Sequence, residues 1–377
     1  MAGRWAGRTG PGFGRSELEV VVVREFARFR SIGALVCLVV VGAACSSASP
    51  SSPPAPSSNV SGPALTASPV PSASPSPAPK YALSVLEATP TFSDIPLHAM
   101  VDGGYAAENN LTLSFATTIS GGSANQLFAG GAADILSAGL DSPAKLVQTG
   151  AVPVTVIGVL DRTNVWVLVS KGGSKYKTLK DLTGQNVGIS GFGGLSDFGL
   201  EYELKQAGMD PKKDVTLVAL GAPASQYAAL VSGTAVAVQI QSPIVDQGLR
   251  DGSLQIVDDM RKQAIASNVF SVRTADLTKN PAPYISFIKA YRLATDRLKN
   301  DPGWALQEAV KYYGITGTAS DLQAQLSSFI TGVWSLDCSF TQQLYDSSKV
   351  IIAGSGLIDP TTYPTYAQLT VSMPIVP

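Results

Sequence analysis

The chain has one histidine, His98, and three cysteines in 377 residues. With a single imidazole, no Cys/His or Ser/His/Asp constellation can be assembled, and the nucleophile-elbow pattern G-x-S-x-G is absent. One His without clustered Cys also argues against a metal site, and nothing in the sequence asks for a cofactor. Charged residues make up 15% of the chain and nearly cancel, leaving a net charge of −1 with no basic run. That balance argues against nucleic acid as a partner. The uncharged apolar run at residues 31–44 (SIGALVCLVVVGAA) is too short to span a bilayer comfortably and suits the core of a signal peptide.

Arg28 and Arg30 precede that run, and Cys45 follows it at once. Residues 41–45 (VGAAC) resemble a bacterial lipobox, in which the leader is cut before a Cys that becomes lipid-modified. Gly42 stands where that pattern usually has an aliphatic residue. A signal peptide without lipidation and an uncut anchor are the alternatives. Removal of residues 1–44, which carry six Arg and three Glu, leaves 21 basic and 25 acidic residues, a net charge near −4. Cys37 would leave with the leader and Cys45 would be acylated, so Cys338 has no partner for a disulfide. Close to Trp334 and Phe340, it reads as a small buried residue rather than a nucleophile. Residues 46–79 are Ser-, Pro- and Ala-rich and uncharged, a composition that cannot fold and that favours extended polyproline II. At ~3.1 Å per residue this tether reaches up to about 100 Å.

From residue 80 strand-like and helix-like runs alternate, which predicts an α/β fold with helices on both sheet faces. One strand series comprises residues 81–88, 111–117, 133–139 and 152–160. A second comprises 165–170, 186–190, 215–220, 236–241, 254–259 and 268–273. After Lys279 helical patterns take over, at 283–298, 303–314, 320–330 and 340–354. Residues 123–143 and 224–243 form a weak internal repeat: helix, Gly, buried strand, Ser-Pro, helix. Chance likeness of two short units is the bland alternative. In each copy the Ser (Ser142, Ser242) is expected to cap the next helix, with the Pro in its first turn. Both copies bring a helix start to the carboxyl end of a strand, the edge where open α/β sheets bind ligands.

Residues 178–208 combine a buried strand, a turn rich in glycine (Gly191, Gly193, Gly194) and a helix starting near Ser196. Missing Cβ atoms allow a close backbone approach, and the helix start offers free N–H groups to a polar or anionic group. An ordinary strand-to-helix turn explains the same pattern. It is no dinucleotide fingerprint, since Ser196 stands at the third glycine position, and no P-loop Gly-Lys-Ser/Thr follows.

At this point the chain resembles a known family. Residues 95–100 (IPLHAM), Gly104-Tyr105, the run 108–113 (ENNLTL), Gly121-Gly122-Ser123 and 132–135 (AADI) are similar to the substrate-binding proteins of ABC importers for nitrate, sulfonates, taurine and thiamine pyrimidine precursors. So are residues 178–190, 207–211 and Val215. The resemblance covers about 80–273 and, loosely, the helical remainder. It implies a type II periplasmic-binding-protein fold: two lobes, each a mostly parallel sheet flanked by helices, closing on a ligand by a hinge. The implied division is a signal peptide at 1–44, a lipid-anchored linker at 45–79, lobe one at 80–165 and 274–377, and lobe two at 166–273, with the C-terminal helices packed on lobe one. The implied pocket lies at strand ends. Lobe one supplies Thr91, Phe92, Ser93, Asp94, Gly122, Ser123, Gly139, Asp141 and Ser142. Lobe two supplies Gly191, Phe192, Gly193, Gly194, Ser196, Gln241 and Ser242, with Trp166 near a crossing.

Trp166 stacks on the ligand or belongs to the core, and Arg162 pairs with an anion or sits exposed in a turn. His98 reads as a helix-face residue rather than a ligand contact. Asp141 departs from relatives that place small hydroxyl residues there. Its charge complements the helix dipole; turned into the cleft, it would disfavour an anion and favour an amine or a neutral hydrogen-bonding ligand. The implied function is an extracytoplasmic, lipid-anchored, monomeric solute receptor that passes a small polar organic molecule or anion to a membrane permease, without catalysis. A lipoprotein presenting its ligand to a sensor, or a pyrimidine-related enzyme on the same fold, are the alternatives.

Overall fold

The computed structural model describes residues 81–88, 90–314 and 317–370. Residues 1–79, where the sequence leads us to expect a leader, Cys45 and a linker, lie outside the described residues. The first sheet begins with β1 (Tyr81–Ala88), followed by helices α1 (Ile95–Asp102) and α2 (Tyr105–Glu108), which divide at Gly103-Gly104. Then come β2 (Leu111–Thr118), α3 (Gly121–Ala129), β3 (Ile135–Ala138), α4 (Asp141–Gln148) and β4 (Val154–Asp161). The chain crosses to a second sheet with β5 (Val167–Lys171), β6 (Asn186–Ile189), α5 (Leu195–Gln206) and β7 (Thr216–Ala219). That sheet continues through α6 (Pro223–Ser232), β8 (Ala237–Ile240), α7 (Ile244–Arg250) and β9 (Leu254–Asp259). The return strand is β10 (Asn268–Arg273).

Strand order is β2-β1-β3-β10-β4 in the first sheet and β7-β6-β8-β5-β9 in the second. The two orders are the same pattern, with one antiparallel crossing strand in the fourth place: β10 against β3 and β4, β5 against β8 and β9. The repeat seen in the sequence maps onto equivalent units, α3–β3–α4 and α6–β8–α7. Every residue of β4 and of β3 is buried, as expected of strands covered on both faces.

Two expectations need correction. The sequence pattern puts residues 268–273 in lobe two, but β10 belongs to the first sheet, where Val269, Phe270 and Val272 fill the slot between β3 and β4. A strand's apolar run does not reveal which sheet will bury it. Nor do Ser142 and Ser242 cap their helices. Helix α4 already begins at Asp141 with Leu140 in the cap position, and α7 begins after Pro243, whose peptide bond to Ser242 is cis.

The helical remainder comprises α8 (Thr274–Lys279), α9 (Ala282–Asn300), α10 (Pro302–Tyr313), α11 (Ala319–Ser328), α12 (Gln342–Gly354) and α13 (Tyr366–Leu369). Helix α9 carries Tyr284, Phe287, Ile288, Tyr291, Ala294 and Leu298 at three- and four-residue steps and buries that face in the core of the first lobe. Each large side chain fully buried there stabilises by about 1.5–3 kcal/mol. Helices α10 and α11 join the same core through Trp304, Leu322 and Leu326, with Trp334 beyond them. Helix α12 reaches further, because Tyr345, Ile351 and Ile352 pack in the core of the second sheet with Phe198 and Leu204 of α5. The C-terminal part therefore rests on lobe one through α9 to α11 and extends across lobe two through α12.

Candidate functional site

The carboxyl ends of the parallel strands in both sheets, with the start of β10, meet around one cavity. Beyond β1, Thr91 N–H donates to Asp94 Oδ2 at 2.7 Å and folds residues 92–94 into a single tight turn. Ser93 and Asp94 thereby face the cavity. Trp334 fixes this turn from behind: its indole N–H donates to the Ser93 carbonyl at 3.0 Å, and its ring stacks on Phe92. β4 delivers Asp161, and the antiparallel β10 starts beside it, presenting Ser267 and Asn268. From the second lobe come Ser190 and Ser196, whose hydroxyls lie 2.6 Å apart, with Leu195, Gln241 and Trp166. The cavity with its mouth holds about 450 Å³ of atom-free space. It suits a small solute.

The rim is closed by backbone contact between the lobes. An added Cβ on Gly122 would stand 2.4 Å from the Phe192 carbonyl oxygen, and one on Gly194 would stand 3.0 Å from the Gly121 nitrogen. The glycine turn is thus a place of close approach, as its composition predicts, and what approaches is the glycine pair opening α3. The start of α3 carries a side-chain cap and that of α5 does not. Ser120 Oγ accepts from Ser123 N–H at 3.3 Å, and Asp197 accepts from Gly193 N–H at 2.9 Å in the first turn of α5.

The ionisable groups lining the cavity are all acidic. Asp94 and Asp161 line it, and among the described lining residues there is no Lys, Arg or His. Asp94 is 3% exposed and Asp161 1%. Burial, then the neighbouring Glu87 carboxylate, push Asp94 up to about 8, against the Thr91 N–H, His98 and Asn268, which pull the other way. Burial and the charge of Asp94 raise Asp161 well above the carboxylate range. Neither Asp161 oxygen has a hydrogen bond of good geometry, nor does the Ser93 hydroxyl close to it. Behind Asp94, His98 Nε2 lies 3.3 Å from Glu87 Oε1, and the ring stacks on Tyr312. Burial opposes the charge on His98, but the Glu87, Asp94 and Asp102 carboxylates outweigh it and raise its pKa.

Of the residues singled out from the sequence, Thr91, Ser93, Asp94, Gly139, Trp166, Ser196 and Gln241 line this cavity. The others are placed elsewhere. Phe92 is fully buried among Tyr313, Phe329 and Trp334. Gly122, Gly191, Phe192, Gly193 and Gly194 form the rim contact, and Ser123 turns back to the Ser120 carbonyl. Asp141 and Ser142 are sealed behind Gly121 and Gly139; burial first, with Asp197 adding and Lys145 opposing, pushes Asp141 up to about 7. Ser242 donates to Asp246 at 2.5 Å in a separate depression. Trp166 both lines the cavity and belongs to the core of the second lobe. Arg162 donates to the Thr331 carbonyl, away from the cavity. Asp161, Ser267 and Asn268 were not anticipated. A carboxylate ending the apolar run of β4 was the available signal.

Comparison with known proteins agrees with this architecture. Residues 93–305 match the sequence profile of the family described as "NMT1/THI5 like". A curated relative, the "Putative binding protein YtlA" of Bacillus subtilis (strain 168), is 24% identical over 232 residues, 61% of this chain and 70% of that protein. The alkanesulfonate-binding protein SsuA of Xanthomonas axonopodis pv. citri, solved with MOPS bound, superposes with a TM-score of 0.63 at 15% identity over 76% of this chain and 96% of its own. The periplasmic nitrate-binding protein NrtA of Synechocystis PCC 6803 gives 0.54 at 17% identity over 66% and 71%. With its matching profile spanning more than half of its length and with two like-ordered sheets enclosing a cleft, this chain belongs to the NMT1/THI5-like family and has the periplasmic-binding-protein fold.

Proposed function

We propose that the protein is an extracytoplasmic solute receptor of an ABC importer, tethered through lipidated Cys45, which closes on a small polar molecule and offers the closed form to a membrane permease. The observation that carries this reading is the cleft itself: strand ends from two lobes surround one small cavity, and glycine backbones seal its rim. Such a rim forms only when the lobes meet, so binding energy is spent on shifting an open–closed equilibrium. The relatives named as binding proteins support the same reading. Among the described residues no helix is long and apolar enough to cross a membrane.

The test is X-ray scattering of the full-length protein before and after exposure to a pool of small polar metabolites, with mass spectrometry of whatever is then released. The expected result is a contraction and one unaltered molecule per chain. Release of a chemically changed molecule, or saturable binding without contraction, would overturn the reading.

A further inference from the structure

Resting on the receptor reading, we propose that the solute carries a protonated nitrogen group, an ammonium or amidinium, seated on Asp161 and Asp94 at the first-lobe end of the cavity.

The first ground is the fate of the carboxyl oxygens. A charge withdrawn from water is ordinarily paired or coordinated. Even the half-exposed Asp259 meets a cation in this chain, Arg261 at 2.8 Å. Asp161 is buried as deeply as any carboxyl group described, yet no cation faces it and neither oxygen has a well-formed hydrogen bond. The Ser93 hydroxyl beside it is also without one. The carboxyl oxygens and this hydroxyl, itself able to donate to Asp161, border one small space, and further N–H donors are what the carboxyl lacks.

The second ground is what the rest of the lining offers. An anion entering this space would meet two carboxyl groups and no basic side chain among the described residues. The start of α3, a place that serves anions elsewhere, is capped by Ser120, and the acidic Asp197 stands in the first turn of α5. Trp166 adds an aromatic wall to the same cavity, and aromatic faces attract ammonium and guanidinium groups. Asn268, held by Ser137 at its side-chain oxygen and directed at Asp94 from its nitrogen at 3.4 Å, orients one carboxylate without neutralising it. The small volume selects a compact ion over a long polyamine.

The experiment is a thermal-shift and calorimetric comparison of shape-matched probes on the full-length protein: propylammonium and benzamidinium against propanesulfonate and benzenesulfonate, with nitrate included. At least one nitrogen cation should bind at least tenfold more tightly than its matched sulfonate. Asp161→Asn should erase that preference, Asp94→Asn should weaken it, and Asp141→Asn, a buried carboxyl outside the cavity, should leave it intact. Circular dichroism of each variant separates lost binding from lost fold, and either cleft variant suffices if the other fails to fold. A sulfonate or nitrate that binds and contracts the protein would overturn the cation assignment and leave the receptor reading standing. So would a cation preference that survives both cleft variants, or absence of binding by both cations at 10 mM concentration, roughly the weakest affinity worth calling specific. Failure of every molecule in the metabolite pool to contract the protein would instead strike the receptor reading.

Discussion

A carboxyl group withdrawn from water keeps its proton or finds a donor, and this chain places several in that position. Asp141 is the clearest structural case, because it lies outside the cavity and its oxygens have no hydrogen bond of good geometry. Its folded pKa, about 7, lies above the ordinary value of 3.8. A raised acid stabilises the fold while both states are protonated, below about pH 4. That contribution is lost as pH climbs toward 7, where the unfolded chain ionises freely and the folded chain cannot. Asp141→Asn should therefore stabilise the protein more at pH 7.5 than at pH 4.5, by a difference on the order of 2 kcal/mol. Urea unfolding at the two pH values measures it. An equal effect at both would mean that this carboxyl is better solvated than its burial indicates.

At the scale of elements, most of the fold was legible in the sequence and its tertiary partners were not. Strands and helices announce themselves through period and through Gly and Pro. The helix–strand–helix repeat at residues 123–143 and 224–243 pointed correctly to two like units. Nothing in the local pattern of residues 268–273 says that β10 inserts between β3 and β4, since burial in either sheet wants the same apolar residues. Asp161 was missed for a related reason: it closes an apolar run and reads as the edge of the strand rather than the floor of a cleft. The glycine turn was legible as a close approach, but its partner, residues 120–122, lies some seventy positions away and carries no complementary signature. Gly122→Val tests that assignment. Its side chain would collide with the Phe192 carbonyl only when the lobes meet, so the fold of each lobe should survive. Affinity for a captured solute should fall at least tenfold, about 1.4 kcal/mol, with the protein remaining expanded in scattering. Unchanged affinity would mean that the rim contact is not part of closure.

For the whole molecule, closing the cleft and moving a proton become one event. Asp94, pushed up to about 8, holds its proton at neutral pH in the closed and empty cavity, and burial with the charge of Asp94 raises Asp161 in the same direction. A cation favours their ionised forms, so its binding expels a proton to solvent, and affinity must rise with pH. The limiting slope is about tenfold per pH unit for one proton, flattening above the pKa of the group that ionises. Around this pair, Glu87 repels the charge and His98 supports it, while Tyr291 and Tyr313 are raised out of the titration range. Calorimetry with benzamidinium from pH 6 to 8.5, in buffers of different ionisation enthalpy, should show tighter binding and proton release together. Asp161→Asn should flatten both. Benzamidinium affinity that is flat or falls as pH rises would mean that the cation does not draw its charge partner from these carboxyl groups, and would overturn the assignment.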